Sequence, residues 1–307
     1  DLDRFTQAFF KNASPADIAS TPVEELYDIT LRAWTFAKTR KAGQFCMRVE
    51  NPKEKGPGGN RTVIIIVNDD MPFIVDSVTS SLTALGIEIH QLFHPIIEVS
   101  RDKSGLRQST NGLADAGAHV EDGRYHESIL YFEVDRRGPK MRQKIEEDLN
   151  AVLSDVRAAV GDWREMLDEL RARNASLEHH PPAIAADELE ETISFLRWLA
   201  DNHFTLLGYR HYELDGDLSD PNFTPVPGRG LGILRDPDVI VWRGAEGFTH
   251  FSAEMRHFLM TRDPVMITKA NVRSKVHRRV QLDFIGLKDF DARGRVVGEH
   301  RFVGLFT

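Results

Sequence analysis

Five consecutive apolar residues, Val63 to Val67, form the most regular feature of the chain. The run is too short for a helix, and its unbroken character predicts a strand buried on both faces. Beyond it the period changes. Ile74, Val78, Leu82 and Leu85 fall on one helical face, and Gly86 supplies the usual left-handed ending. IEIHQLFHPIIEVSRD predicts a second strand running to Asp102, and ESILYFEVD a third from Glu127 to Asp135. Pro139 opens a second helix, with Met141, Ile145, Leu149, Val152 and Val156 on one face. Thr62 to Val160 therefore reads β-α-β-β-α. That is a ferredoxin-like order in an α+β fold, lacking only a final strand, which another part of the chain would have to supply.

The flanks are less regular. Ser14-Pro15 and Thr21-Pro22 are each a cap followed by proline, and Leu26, Ile29, Ala33 and Phe36 form a helical stripe. Residues 1–60 are thus expected to be a helical N-terminal segment ending in the loop NPKEKGPGGN. The polar stretch from Lys103 to Tyr125 reads as a hairpin tip. Residues 162–175 continue helical and charged, and HHPPAIAA is a linker. Asp187 is expected to cap a long helix to Leu199, with a strand after His203, a loop at PVPGRGLGIL and a short hairpin in DVIVWRG and GFTHFS. Strand patterns run from Val265 to Thr307, turned at DARG. Three segments result: 1–60, a module at 61–178, and a second α/β unit at 179–307 that is open to being another such module, cut short at its C-terminus. The chain starts at Asp1 without a methionine and stops in the strand-like RFVGLFT, so a piece of a longer protein is expected.

Composition narrows the classes. A net charge of -8 argues against nucleic acid or an anionic membrane as a default partner. A single cysteine, Cys46, excludes an internal disulfide framework and suits a reducing, cytoplasmic compartment. No apolar run approaches the roughly 20 residues that span a bilayer, and no signal-peptide pattern is present.

Few stretches carry candidate chemistry. NDDMPFIVDSV joins the central strand to the first helix. Its acids read first as helix caps, with Pro72 in the first turn. Its backbone N–H groups read second as an anion site. General acid–base work comes third, since no partner can be placed. His90 and His94 are four apart, but in a strand that spacing is roughly 13 Å, too far for one metal ion. GRGLG follows prolines and reads as a loop. No GxxxxGK[ST], HExxH, GxSxG or CxxC occurs. Cys46 reads as a small buried residue before it reads as a nucleophile. In TKANVRSKVHRRV the odd positions from 269 to 279 are Lys, Asn, Arg, Lys, His and Arg. A period of two would put Lys269, Arg273, Lys275 and Arg279 on one face of a strand. Protection of a sheet edge and contact with an acidic partner are both open.

NDDMPFIVDSVTSSLTALGIEIHQLFHPII resembles the N-terminal region of the large, NAD-specific glutamate dehydrogenases of bacteria. LLGYRHYEL, TKANVRSKVHRRVQLDFIG and GRVVGEHRFVGLFT extend the resemblance from about Val63 to the last residue. The resemblance implies ACT-like modules, small β-α-β-β-α-β folds that bind amino acids and regulate enzymes. It makes Asn68, Asp69, Asp70, Met71 and Phe73 candidate contacts of a small amino-acid effector, although MPF stands where many such modules carry proline and glycine. It places the catalytic domain and NAD outside this chain, which would hold no cofactor or metal itself. The parent would convert L-glutamate, NAD and water to 2-oxoglutarate, ammonia and NADH. Expected partners are the remainder of that chain and other subunits of a homo-oligomer, with no nucleic acid or membrane. A different class stays open: a stand-alone binding module using the basic strand at 269–279 for an acidic partner or nucleic acid.

Overall fold

Strand β2 (Arg61–Asp69) organises the first sheet. Val63 to Val67 are all fully buried, as the unbroken apolar run requires. The computed structural model describes residues 1–53, 60–113, 124–215, 222–239, 241, 261, 263–291 and 293–307. It divides into two compact units, Asp1–Leu153 and Ser154–Thr307.

In the first unit, β2 leads to α4 (Ile74–Ala84), then to β3 (Ile89–Phe93) and β4 (Ile96–Arg101), to β6 (Arg124–Asp135) and to α5 (Pro139–Gly161). β6 pairs antiparallel with β2 on one side and with both β3 and β4 on the other. This is the predicted β-α-β-β-α order in an α+β unit. The edge of β2 that a last strand would occupy is taken by β1 (Cys46–Glu50), which runs antiparallel to it. The missing strand therefore comes from upstream.

Two local differences have plain causes. The strand expected to run unbroken to Asp102 is split at His94-Pro95, where proline offers no ladder donor. The polar excursion contributes β5 (Arg107–Leu113), which pairs with β4 across a turn held by Asp102, whose Oδ1 accepts from the backbone of Ser104 and Leu106. Residues 114–123 lie outside the described residues.

The N-terminal segment forms α1 (Leu2–Phe10), α2 (Pro15–Ser20) and α3 (Val23–Phe36). Phe5, Phe9, Ile29 and Ala33 pack with Val63, Ile65, Val67, Phe93, Ile97 and Tyr131. These β2 residues are the odd-numbered ones, so the helices cover one face of the sheet. The even-numbered Ile64 and Ile66 point to the opposite face and are equally buried.

The second unit has α6 (Trp163–His179), α7 (Ala186–Trp198), a kinked turn at Leu199–His203, and five antiparallel strands: β7 (Phe204–Asp215), β8 (Asn222–Gly232), β9 (Val265–Arg273), β10 (Gln281–Phe290) and β11 (Val296–Phe306). The sheet order is β8-β7-β11-β10-β9. Met166, Leu170 and Leu196 join Phe204, Tyr209, Ile285, Leu287 and Phe302 in its core. Helix α6, grouped with the preceding module by the sequence, thus packs on the second sheet. Ala185 rather than Asp187 precedes α7. Within the described residues the order is two helices followed by five strands.

PVPGRGLGIL is not a loop. Through Gly232 it belongs to β8, which pairs with β7. Gly232 has φ +58, and a Cβ there would fall on the Leu207 carbonyl oxygen. Its N–H donates to Asp162 Oδ2 at 2.7 Å. The glycines serve a tight strand end. Of the hairpin expected in DVIVWRG and GFTHFS, residues 240 and 242–260 lie outside the described residues.

Candidate functional site

The strand-to-helix turn has a different construction from the capping that its acids suggest. β2 ends at Asp69, and α4 starts only at Ile74, with Phe73 before it at φ 72 and no side-chain cap. Phe73, not Asp69 or Asp70, holds the N-cap position. A left-handed phenylalanine is uncommon, because its Cβ crowds the following carbonyl. It swings the chain from strand to helix in the space of four residues. The Phe73 carbonyl then accepts from the Ser77 N–H at 3.0 Å. Asn68 is buried, Asp70 is exposed, and Met71 and Phe73 are half-buried.

Asp69 has another task. Its Oδ1 accepts from Arg40 Nη2 at 2.7 Å. Arg40 also donates its Nε to Glu127 Oε1 at 2.9 Å and Nη1 to the Gln44 carbonyl at 2.6 Å. Arg101 completes the group, with Nε on Glu127 Oε1 at 2.6 Å and Nη2 on Oε2 at 2.7 Å. The side chains of Arg40, Arg101 and Glu127 are each 1% exposed. Two guanidiniums and two carboxylates thus balance within a buried cluster, the arrangement that makes buried charge tolerable. Burial opposes the Arg40 charge, but Glu127 and Asp69 outweigh it and its pKa rises. The cluster ties the segment after α3 to the start of the strand-to-helix turn. Arg40, Arg101 and Glu127 were not singled out from the sequence, where they are 26 to 87 residues apart and carry no motif.

The other candidates do not converge on the turn's outer side. His94 is half-buried, with Nε2 2.6 Å from Ser128 Oγ. Burial lowers its pKa and Asp70 partly offsets that. His90 Nε2 instead meets Asp135 Oδ1 at 2.7 Å, so the two histidines have separate partners. Cys46 is partly buried at the start of β1, where burial raises its thiol pKa away from nucleophilic use.

The basic segment is strand only in β9, the end strand of this sheet among the described residues. Lys269 and Arg273 are exposed and Ala270 is buried between them. The strand ends at Arg273, and His277 is left-handed at φ 63, so the expected row to Arg279 is bent into a turn. Lys269 Nζ pairs with Asp283 Oδ1 at 2.6 Å and Lys275 Nζ with Asp155 Oδ2 at 3.7 Å. Two of its five lysines and arginines therefore face acids of the same unit. Elsewhere in that unit, Arg171, Asn174, Glu178 and Arg197 line a cleft of about 250 Å³ between α6 and α7. Among the described residues, no helix is long and apolar enough to cross a membrane.

Comparison with known proteins places this architecture. Residues 5–149 match the family described as the glutamate dehydrogenase ACT1 domain. The NAD-specific glutamate dehydrogenase of Halomonas elongata is 31% identical over 100% of the chain, and that of Pseudomonas aeruginosa is 30% identical over 99%. The NAD-specific glutamate dehydrogenase of Mycobacterium tuberculosis is 25% identical over 89% of it. The chain spans only 19%, 18% and 15% of the lengths of these relatives. The matched span contains α1 from Phe5 onward, α2, α3, the whole first sheet, the Arg40–Glu127–Arg101 cluster and the turn at 68–73. Over residues 5–149, this chain is similar to the glutamate dehydrogenase ACT1 domain family.

Proposed function

We propose that the chain is the N-terminal regulatory and assembly segment of an NAD-dependent glutamate dehydrogenase and takes no part in catalysis itself. The observation that carries this reading is the ACT1 match over residues 5–149, within an alignment that covers the whole chain and less than a fifth of each enzyme. The parent would oxidise L-glutamate with NAD and water to 2-oxoglutarate, ammonia and NADH in the cytoplasm. NAD and the reacting groups would sit outside this chain, and its partners would be the rest of the polypeptide and other subunits.

Within this reading, the turn from Asn68 to Phe73 is the effector site. Its geometry narrows the roles. Asn68 is buried and Asp69 is engaged by Arg40, which leaves Asp70, Met71 and Phe73 at the surface. A small amino acid would set its ammonium against Asp70 and its carboxylate towards the first turn of α4, where a helix N-terminus favours negative charge. The test is a thermal-shift screen of the chain against the common amino acids, with NAD included. A ligand that binds only the folded state must raise the melting temperature. One amino acid is expected to do so, and Asp70→Asn to remove the shift. No shift with any amino acid would leave the segment as an assembly scaffold. Formation of NADH from L-glutamate by this chain alone would overturn the non-catalytic assignment.

A further inference from the structure

We propose that His211, Asp289 and His300 form a binding site for a divalent transition metal, with Zn²⁺ the best match. The three residues lie on the neighbouring strands β7, β10 and β11. His211 and His300 are direct cross-strand partners, and Asp289 stands opposite Gly298, two residues before His300 and on the same face. One ligand atom from each lies within 4.8 Å of the others. Nothing in the sequence spacing hints at this, since His211 is 89 positions from His300 and strand register alone joins them.

Asp289 Oδ2 is 3.7 Å from His211 Nε2 and 3.6 Å from His300 Nε2. Those distances are too long for hydrogen bonds. They are close to the spacing of ligands around one ion, since bonds of about 2.0–2.2 Å in a tetrahedron set donors roughly 3.3–3.5 Å apart. His211 Nε2 is buried and makes no hydrogen bond among the described residues. Gly298 keeps the space beside it open, because a Cβ there would stand 3.3 Å from that nitrogen.

His300 is held as a ligand should be. Tyr209 donates its hydroxyl to Glu169 Oε2 at 3.2 Å and lies 2.9 Å from His300 Nδ1. The tyrosine oxygen is thus the acceptor for the Nδ1 proton, and Nε2 is left with its lone pair. A ligating histidine whose second ring nitrogen is anchored in this way is the usual outer-sphere pattern of metal sites. Arg173 Nη1 confirms the tautomer, since a guanidinium only donates and it lies 3.1 Å from His300 Nε2.

Arg173 is a cation already drawn to this position, and a metal would displace it. The imidazoles are stacked, with centroids 4.1 Å apart and planes at 9°. They must turn about χ2 to converge on one ion, a torsion with broad wells. Two imidazoles and one carboxylate suit Zn²⁺ rather than Mg²⁺ or Ca²⁺, and they leave a fourth position for water. The bound ion would pin three strands of the second sheet together.

The test is titration of the metal-free chain with Zn²⁺ by calorimetry, with Co²⁺ absorption as a second readout. One equivalent should bind, with the strong visible bands of a tetrahedral Co²⁺ site. His211→Ala and His300→Ala should each weaken binding about 100-fold, and Tyr209→Phe by about 10- to 100-fold through the lost outer-sphere contact. Arg173→Met should tighten it. Asp289→Asn, the mildest change in volume, should remove the Co²⁺ bands even if a histidine variant fails to fold. No saturable 1:1 binding would overturn the proposal, as would binding that survives Asp289→Asn and His211→Ala and so resides on other side chains.

Discussion

Replacing Glu127 by glutamine tests whether the buried charge cluster holds the first unit together. Glu127 is fully buried and takes three hydrogen bonds, at 2.9 Å from Arg40 and at 2.6 and 2.7 Å from Arg101. The remaining Arg101 N–H groups reach the carbonyls of Ala37, Lys38 and Gly105. Glutamine keeps the shape but removes one charge and turns an NH₂ donor towards guanidinium donors. Two buried cations then share the single partly exposed carboxylate of Asp69. Breaking a buried pair from one side costs about 3–5 kcal/mol. At about 2–4 °C per kcal/mol for a unit of this size, the melting temperature should fall by roughly 6–20 °C. Asp69→Asn is the control. Its side chain is 28% exposed and Arg40 keeps Glu127, so solvent should limit the cost to about 1 kcal/mol. The assay is amide hydrogen exchange over β2 and β6, which reports on the first unit separately from the second. The reasoning is refuted if Glu127→Gln costs less than about 1 kcal/mol, or if Asp69→Asn costs as much.

Two further outcomes follow from the turn and its surroundings. Phe73 is left-handed, so Phe73→Asn should be tolerated better than Phe73→Val by about 1 kcal/mol in urea unfolding, since asparagine accepts this conformation and β-branched residues do not; equal losses would mean that the backbone carries no such constraint. Burial lowers the His94 pKa, so as pH falls through about 6.5 the unfolded chain takes up a proton before the folded one. The His94 contribution is thus fully present above that pH and is lost below it, down to the folded pKa. His94→Asn should flatten this part of the stability profile measured between pH 7.5 and 5, and an unchanged slope would assign the loss to other groups.

Much of the first unit was legible in the chain, because its signals are local. An apolar run without polar interruption has to be buried on both faces, wherever it lies. Gly86 after Leu85 ends α4 at φ 68, and Pro139 begins α5, through backbone properties of those residues alone. The order β-α-β-β-α follows from such local readings, and so does the resemblance carried by the long stretch from Asn68. What tertiary structure alone decided involves partners remote in sequence. β1 rather than a C-terminal strand completes the first sheet, a matter of which edge the chain can reach. Asp69 pairs with Arg40 instead of capping α4, which starts only at Ile74 with Phe73 at its N-cap. GRGLG becomes a strand because β7 lends it a ladder, and the basic row is bent after Arg273, where pairing with β10 ends. His211, Asp289 and His300 meet only because antiparallel register sets them side by side. Periodicity along a chain reports which face is buried, whereas the neighbour across a strand is set by pairing between segments, which no local pattern encodes.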